Sequence, residues 1–316
     1  MRRTLIFAAK AVASIALLYF SFARVDLDIV FNRLNQIAPL WQFTALVVFA
    51  LIVALGALRW RIIANMAHDT APSDFSVGRA LRFSFIGQFF NQTLPSSVGG
   101  DAMRIWLLAR TQFGWGPSFY SVMVDRFFGV LVLALLVLGG LPWSLDLIES
   151  KTGRVTLLLA GMASFGACLA FIAINIVPKA WMRRFWISHH LGAAARLAWT
   201  SLSVPGIAIR IIGLSLLIHA GNVTVAWCLA QAIGAPVAWT QALFVVLPVL
   251  LITTIPLSVA GWGVRETAMV AAFGYVGLQP GDGLVVSVLM GLTGFALGIA
   301  GGLLWFLQPP VDRKTG

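Results

Sequence analysis

Two short stretches of the chain place glycines directly before an arginine and a carboxylate. They are Gly99-Gly100-Asp101-x-x-Arg104 and Gly261-x-Gly263-x-Arg265-Glu266. Glycine lets backbone N–H groups come close to a ligand, and a helix that starts there points the positive end of its dipole at that ligand. Arginine adds a guanidinium, which grips phosphate through two parallel hydrogen bonds. This combination predicts a binding site for an anionic group, above all a phosphate.

The composition places these stretches in a membrane. The chain has 316 residues, of which 59% are hydrophobic and only 10% are charged. A soluble domain cannot bury so much apolar surface, so most of the solvent must be lipid. The formal net charge of +11 then fits basic loops that face anionic headgroups in the cytoplasm. No long basic arm is present, so we expect no nucleic-acid partner.

The apolar runs predict six membrane spans and two broken-helix hairpins. The spans are residues 4–22, 41–63, 118–138, 155–177, 207–232 and 284–307. In the first hairpin, the run 83–94 is broken at 95–100 and returns as a short helix over 101–110. In the second, the run 242–255 is interrupted by Pro248 and returns over 265–276. Each of these runs is too short to cross the bilayer, which predicts re-entrant hairpins.

The two hairpins align with each other at one constant offset. The coinciding residues are Pro95/Pro256, Ser97/Ser258, Val98/Val259, Gly100/Gly261 and Arg104/Arg265. The same offset places the first three spans on the last three, and the two halves then have opposite orientations. We therefore predict an all-α polytopic membrane protein, with six full spans and two re-entrant hairpins arranged as an inverted repeat. It forms a single transmembrane domain over 1–316, with halves of about 1–145 and 150–312.

The charge of the loops predicts the orientation. With both hairpins re-entrant, the loops around 24–40 and 141–154 carry as many acids as cations and face outward. The strongly basic loops face inward together with both termini; their cations are Arg79, Arg82, Lys179, Arg183, Arg184 and Arg196. This distribution satisfies the positive-inside rule and predicts a bacterial inner-membrane protein with cytoplasmic N- and C-termini. The basic, Trp-rich segment 179–200 is predicted to be an interfacial helix.

Each charged residue of the two stretches has two interpretations. Arg104 and Arg265 are candidates for binding a lipid headgroup, because a cation inside a membrane segment usually has a partner or a task. Alternatively, Arg104 only pairs with Asp101 at i,i+3, and Arg265 with Glu266 or a carbonyl. The two carboxylates are either proton carriers of a coupled transporter or simple helix-start charges.

Further polar residues near the first stretch are candidates for the same site. They are Gln88, Asn91, Asp125 and Arg126. The amides of Gln88 and Asn91 could bind a headgroup or satisfy the backbone freed at the break. Asp125 and Arg126 are expected to form an internal ion pair that lines the same cavity.

Sequence motifs for metal binding or catalysis are missing. Cys168 and Cys228 lie in apolar runs, and the four histidines show no ligand spacing. The sequence contains no nucleophile elbow, P-loop, His-Glu-x-x-His or dinucleotide fingerprint. No soluble segment exceeds about thirty residues, which is too short for an appended catalytic domain, since domains typically have roughly 50–250 residues. We expect no metal, no cofactor and no enzymatic activity.

The two motifs resemble a known family. Asn91-Gln92-x-x-Pro95-x-x-x-Gly99-Gly100-Asp101-x-x-Arg104, followed by Pro256-x-x-x-x-Gly261-x-Gly263-x-Arg265-Glu266, is similar to the flippase-like integral membrane family named after the transmembrane part of lysylphosphatidylglycerol synthase. The resemblance covers nearly the whole chain. It implies translocation of an aminoacylated lipid in bifunctional members, whereas other stand-alone members are associated with hopanoid or polyprenyl-linked glycolipid pathways. No synthase domain is expected here.

We therefore expect a lipid translocase that moves a polar, anionic or phosphate-bearing lipid between leaflets through a central cavity lined by the two hairpins. The expected partners are membrane lipids, including polyprenyl-linked ones; a homo-oligomer and a lipid-biosynthesis partner remain open. One alternative is an intramembrane lipid-modifying enzyme that uses Asp101, Glu266 and the arginines. Another is a lipid-binding partner of a biosynthetic complex that does not itself transport.

Overall fold

A computed structural model describes residue 33 and residues 37–67, 75–94, 98–143, 151–177, 186–254 and 263–307. The regular secondary structure of these residues is helical. The helices are α1 (Pro39–Met66), α2 (Val77–Thr93), α3 (Gly99–Ala109), α4 (Trp115–Gly139), α5 (Lys151–Ala173), α6 (Trp186–Ser203), α7 (Pro205–Ala232), α8 (Trp239–Thr253), α9 (Val264–Tyr275) and α10 (Pro280–Phe306). A 3-10 turn, Ile174–Ile176, extends α5.

Five of these helices are long and apolar enough to cross a membrane. They are α1, α4, α5 with its 3-10 turn, α7 and α10, and they match the last five predicted spans. The first predicted span, 4–22, lies outside the described residues. The protein is an all-α polytopic membrane protein, as the composition predicted.

The first predicted hairpin consists of α2 and α3. Helix α2 begins at residue 77, earlier than predicted, because the side chain of Ser76 caps it by accepting a hydrogen bond from the backbone N–H of Arg79. It ends at Thr93, and α3 already begins at Gly99. The break is therefore shorter than the predicted 95–100. Gly99 and Gly100 belong to the first turn of α3 rather than to the break.

The second predicted hairpin consists of α8 and α9. Helix α8 continues through Pro248 to Thr253, so the predicted interruption at Pro248 is wrong. A proline removes one backbone donor, and transmembrane helices accept it where neighbouring groups re-satisfy the freed carbonyl. The break itself falls between α8 and α9. Residues 255–262, including Gly261, lie outside the described residues.

Two short helices followed by a long one occur twice along the chain, as α2–α3–α4 and as α8–α9–α10. The order of elements agrees with the predicted repeat, while its inverted orientation stays a prediction. Helix α1 packs along α7, and α2 packs along α10. Helix α6 places Ala194 and Ala198 in a core with Phe127 of α4. The predicted location of α6 at the membrane interface also stays a prediction.

Glycines allow α2 and α10 to pack at close range. Gly294, Gly298, Gly301 and Gly302 of α10 all face α2. A β-carbon at Gly301 would overlap the backbone carbonyl oxygen of Phe85, and one at Gly302 would lie 3.0 Å from the ring of Phe89. Small residues in such positions let transmembrane helices gain van der Waals contact. The close approach holds the first hairpin against the last span.

Replacing Gly301 with alanine tests this packing. We expect Gly301→Ala to lower the free energy of unfolding by about 1–3 kcal/mol, because backbone atoms of α2 must move. The matched control is Gly213→Ala on α7, where a β-carbon meets nothing within 4 Å. Alanine is a better helix former than glycine, so the control should be neutral or slightly stabilising. Thermal melts of both variants in detergent measure the difference; equal melting temperatures would contradict the close packing.

Candidate functional site

A network of five charged side chains lies inside the helix bundle. Its members are Arg59 of α1, Asp101 and Arg104 of α3, and Asp125 and Arg126 of α4. Arg59 Nε lies 2.8 Å from Asp125 Oδ1, and Arg104 Nη2 lies 3.1 Å from Asp125 Oδ2. Arg104 Nη1 lies 3.3 Å from Asp101 Oδ1, and Arg126 Nε lies 2.6 Å from Asp101 Oδ2. Cations and anions alternate, and three arginines face two carboxylates.

The network is placed deep in the fold. Asp125 lies near the middle of the candidate span α4, and it is buried like Arg59 and Asp101. The Arg126 side chain, by contrast, is 57% exposed. The network thus extends from the interior of the bundle to its surface. Buried charges of this kind cost several kcal/mol each unless they are paired.

Asp125 and Arg126 have different partners, so the predicted ion pair between them is wrong. Asp125 contacts Arg59 and Arg104, whereas Arg126 contacts Asp101. Successive side chains on an α-helix diverge by roughly 100°, so the two neighbours reach different residues: Asp125 is buried between Arg59 and Arg104, while the more exposed Arg126 reaches Asp101. Both residues nevertheless line the same cavity, as expected.

We call this cavity the cation cavity. It has a volume of about 170 Å³ and is lined by the five charged residues together with Ile52, Val53, Gly56, Ser84, Gly87, Gln88, Asn91 and Ile218. Two of its polar atoms, Arg104 Nε and Ser84 Oγ, are buried without a hydrogen-bond partner in the described part of the chain. A buried polar group without a partner costs about 1–3 kcal/mol. The lining of the cavity therefore carries hydrogen-bonding capacity that the described residues do not use.

Aromatic and hydroxyl side chains hold the two inner arginines in place. The Arg104 guanidinium carbon lies 4.2 Å from the centre of the Trp60 ring, a cation–π contact. Trp60 is fully buried, and its indole N–H donates to Ser121 Oγ at 3.1 Å. Arg59 Nη1 donates to Ser215 Oγ at 2.9 Å. These contacts fix the orientation of the donors around the cavity.

Asn91 and Gly100 join the two helices of the first hairpin. The Gly100 N–H donates to Asn91 Oδ1 at 2.8 Å. This backbone N–H therefore already has a partner and is not free for a ligand. A β-carbon at Gly100 would overlap the carbonyl oxygen of Gly87 and the side chain of Asn91. One at Gly99 would lie 2.8 Å from the Phe90 carbonyl oxygen. Glycine is needed here for close packing of α2 against α3.

The second stretch forms a separate, closed cluster. Glu266 is fully buried; its Oε1 accepts from Arg265 Nη2 at 2.8 Å and from Ser287 Oγ at 2.9 Å. Its Oε2 accepts from the N–H of Gly263 at 2.7 Å, and Arg265 Nε donates to Ser287 Oγ at 2.9 Å. Gly263 has φ 89°, which favours glycine. Neither Arg265 nor Glu266 lines the cation cavity.

The structure thus divides the predicted site. It gathers Asp101 and Arg104 of the first stretch with Gln88, Asn91, Asp125 and Arg126 at one cavity, whereas Gly99 and Gly100 pack against α2. Arg265 and Glu266 of the second stretch contact Ser287 of α10 instead. The expected i,i+3 contact between Arg104 and Asp101 and the contact between Arg265 and Glu266 are both present. Asp101 and Glu266 are both paired with arginines. This pairing favours the interpretation of the two carboxylates as partners of the arginines over their interpretation as proton carriers.

Several residues of the two clusters were not predicted. They are Arg59, Trp60, Ser84, Ser215 and Ser287. Arg59 had a recognisable signal, because it lies seven residues before the end of α1 (59 to 66), roughly 10 Å inside the helix. The argument applied to Arg104, that an intramembrane cation has a partner or a task, applies to it equally. The serines and Trp60 carry no such signal.

Neutralising Asp125 tests the network. We expect Asp125→Asn to lower the free energy of unfolding by about 3–5 kcal/mol, because Arg59 and Arg104 both lose their shared carboxylate. The control, Arg126→Gln, leaves Asp101 paired with Arg104 and removes a largely exposed side chain, so it should cost much less. Thermal melts in detergent measure both effects. Equal losses would mean that Asp125 does not hold the network together.

Comparisons with known proteins agree with this architecture. The family described as Lysylphosphatidylglycerol synthase TM region matches residues 6–302. A UPF0104 membrane protein of Methanothermobacter thermautotrophicus is 34% identical over 138 residues, which are 43% of this chain and 37% of that relative. The chain therefore spans little more than a third of the relative's length. Because the family match covers nearly the whole chain and confirms the resemblance of the motifs, this protein belongs to the family of lysylphosphatidylglycerol synthase transmembrane regions.

Proposed function

We propose that this protein moves an anionic or phosphate-bearing lipid between the two leaflets of a bacterial inner membrane, with both termini in the cytoplasm. The observation that carries the proposal is the cation cavity, whose lining residues Arg104 and Ser84 have an Nε and an Oγ without hydrogen-bond partners among the described residues. Phosphate oxygens accept such hydrogen bonds, and those to charged donors are the stronger ones. The family membership supports a membrane function linked to lipids.

Charge complementarity supports an anionic headgroup. Three arginines and two carboxylates leave the network with one positive charge in excess. On insertion scales, a cation at the centre of a membrane costs roughly 2.5–3.5 kcal/mol. A bound phosphodiester carries one negative charge and would neutralise the excess. Arg126, on the exposed side of the network, would meet the headgroup before Arg104 does.

The size of the cavity supports binding of a headgroup rather than of a whole lipid. Its volume of about 170 Å³ is below the roughly 300–1,000 Å³ of pockets that enclose drug-sized ligands. The acyl chains would therefore stay in the bilayer while the headgroup enters the bundle. For an anionic lipid, crossing also involves about 2.3 kcal/mol per charge per 100 mV of membrane potential.

Leaflet exchange in proteoliposomes tests the proposal. An acyl-labelled anionic phospholipid is scored by its accessibility to an impermeant quencher. We expect Arg104→Gln to slow exchange at least tenfold, because losing charged hydrogen bonds of about 1.5–3 kcal/mol corresponds to factors of ten to a hundred. Arg104→Lys, which keeps the charge without the planar fork, should be intermediate. Arg210→Gln, on an exposed position of α7, is the control and should exchange normally.

The same preparation separates the other candidate functions. Exchange at the wild-type rate in Arg104→Gln would remove Arg104 from the mechanism. A covalently altered lipid in the extract would indicate a lipid-modifying enzyme. Lipid that co-purifies without any exchange by the wild type would indicate a non-transporting binding protein.

A further inference from the structure

An ion pair outside the charged network joins the beginning of α10 to the segment before α1. Arg33 Nε donates to Asp282 Oδ1 at 2.8 Å, and Arg33 Nη2 donates to Asp282 Oδ2 at 3.1 Å. Arg33 Nη1 also donates to the backbone carbonyl oxygens of Ile233 and Gly234, each at 3.2 Å. One guanidinium thus connects the segment before α1, the end of α7 and the beginning of α10. We call these contacts the Arg33 clamp.

The surroundings of the clamp favour strong contacts. The Asp282 side chain is 3% exposed and the Arg33 side chain is 24% exposed, so water competes little for the pair. Two parallel hydrogen bonds between a guanidinium and a carboxylate are among the strong ones. Asp282 lies in the first turn of α10, and Arg33 binds a carbonyl at the end of α7, so both charges complement a helix dipole. The clamp is therefore stronger than an ordinary surface ion pair.

The clamp and the cation cavity lie far apart along α7. Ile218 of α7 lines the cavity, and Ile233, the residue that ends this helix, accepts from Arg33. The fifteen residues between them (218 to 233) correspond to about 22 Å at 1.5 Å per residue. The hydrocarbon core of a bilayer is roughly 30 Å thick. Much of the membrane therefore separates the cavity from the clamp.

Between the cavity and the clamp, α1 and α7 are in contact. A β-carbon at Gly221 of α7 would lie 2.7 Å from Ile52 Cγ1 of α1, and Ile52 lines the cavity. Nearer the clamp, the ring centres of Trp41 and Trp227 are 5.3 Å apart, in an edge-to-face arrangement. These contacts close the interface between α1 and α7 on the side of the cavity that leads to the clamp.

We infer that the Arg33 clamp is a gate, which keeps the outer side of the cation cavity closed while a headgroup enters from the cytoplasmic side. This inference rests on the proposed function and on its orientation, in which residues 24–40 face outward. A translocase exposes its binding site to the two sides in turn, so the closed contacts have to separate at one stage. Because the clamp joins the outer ends of α7 and α10, these ends separate when Arg33 releases Asp282.

A cysteine in the cation cavity tests the gate. Gly56 lines the cavity, and a β-carbon there meets nothing within 4 Å, so Gly56→Cys fits without displacing a neighbour. In vesicles that hold the protein in one known orientation, a membrane-impermeant thiol reagent is added to one side at a time. With the clamp intact, we expect labelling from the cytoplasmic side only. The wild type, whose Cys168 and Cys228 are buried, gives the background.

Breaking the clamp should open the outer side. We expect Arg33→Gln and Asp282→Asn, each combined with Gly56→Cys, to raise labelling from the outer side roughly tenfold or more. The reason is that a charged hydrogen bond lost from the closed state shifts an equilibrium by about that factor. The double variant should add little to either single one, because both changes remove the same contact.

Gln231→Leu is the matched control for this labelling. Gln231 lies two residues before Ile233, and its amide donates to the Val237 carbonyl oxygen at 3.0 Å, a contact within the connection from α7 to α8. Its loss should leave outer labelling low. Outer labelling with the clamp intact, or no increase when it is broken, would overturn the gate. An equal increase in Gln231→Leu would mean general loosening and would overturn it too.

A reversible cross-link tests the gate while keeping the connection. Arg33→Cys and Asp282→Cys are combined and joined by a bifunctional thiol reagent whose link is cleaved by reduction. We expect leaflet exchange of acyl-labelled phosphatidylglycerol to stop when the link forms and to resume when it is reduced. The two single cysteine variants, treated in the same way, are the controls. Unchanged exchange by the cross-linked protein would overturn the gate.

The outcomes separate this inference from the proposed function. If the gate fails, exchange that depends on Arg104 leaves the proposed function standing. If the wild type exchanges no phospholipid, the proposed function fails, and the labelling of Gly56→Cys still decides whether the clamp closes the cavity.

Discussion

The central constraint on this structure is that charges inside lipid must be paired. Asp125, in the middle of a candidate span, joins Arg59 of α1 to Arg104 of α3, and Asp101 continues the chain of contacts to Arg126. Three helices are held together by this alternation of cations and anions. Each of the three arginines contacts a carboxylate, but because the arginines outnumber the carboxylates, the network carries one positive charge in excess. That excess makes the network suitable for an anionic ligand as well as for stability.

The broken helices provide the space for these charges. A short helix that ends inside the bundle exposes backbone groups, and a side chain satisfies one of them at the start of each second helix: Asn91 accepts from the Gly100 N–H, and Glu266 accepts from the Gly263 N–H. The two copies of the motif then differ. In the first, Arg104 borders a cavity, and its Nε has no partner among the residues that the structure describes; in the second, Arg265, Glu266 and Ser287 bond to one another. One motif thus supports an open site and a closed one.

Close helix packing connects the site to the rest of the fold. The glycines of α10 bring α2 near enough for backbone contact, and at Gly294 the same lack of a side chain admits the amides of Gln88 and Gln92. Packing and polarity are therefore combined on one face of α10. Away from this face, α1, α4, α5, α7, α8, α9 and α10 contribute to one apolar core.

The sequence by itself determined the helical membrane class, the last five spans, the two breaks and the family, because hydropathy and the Pro–Gly pattern act locally along the chain. It also identified Asp101, Arg104, Asp125 and Arg126 as residues of one site, since charges in apolar runs are rare and costly. Only the tertiary structure decided their partners. Asp125 contacts arginines of α1 and α3, whereas Arg126 contacts Asp101 of α3. Arg59 and Ser84 join from α1 and α2, and Arg265 belongs to another cluster, because side-chain direction and helix packing set contacts between residues distant in sequence.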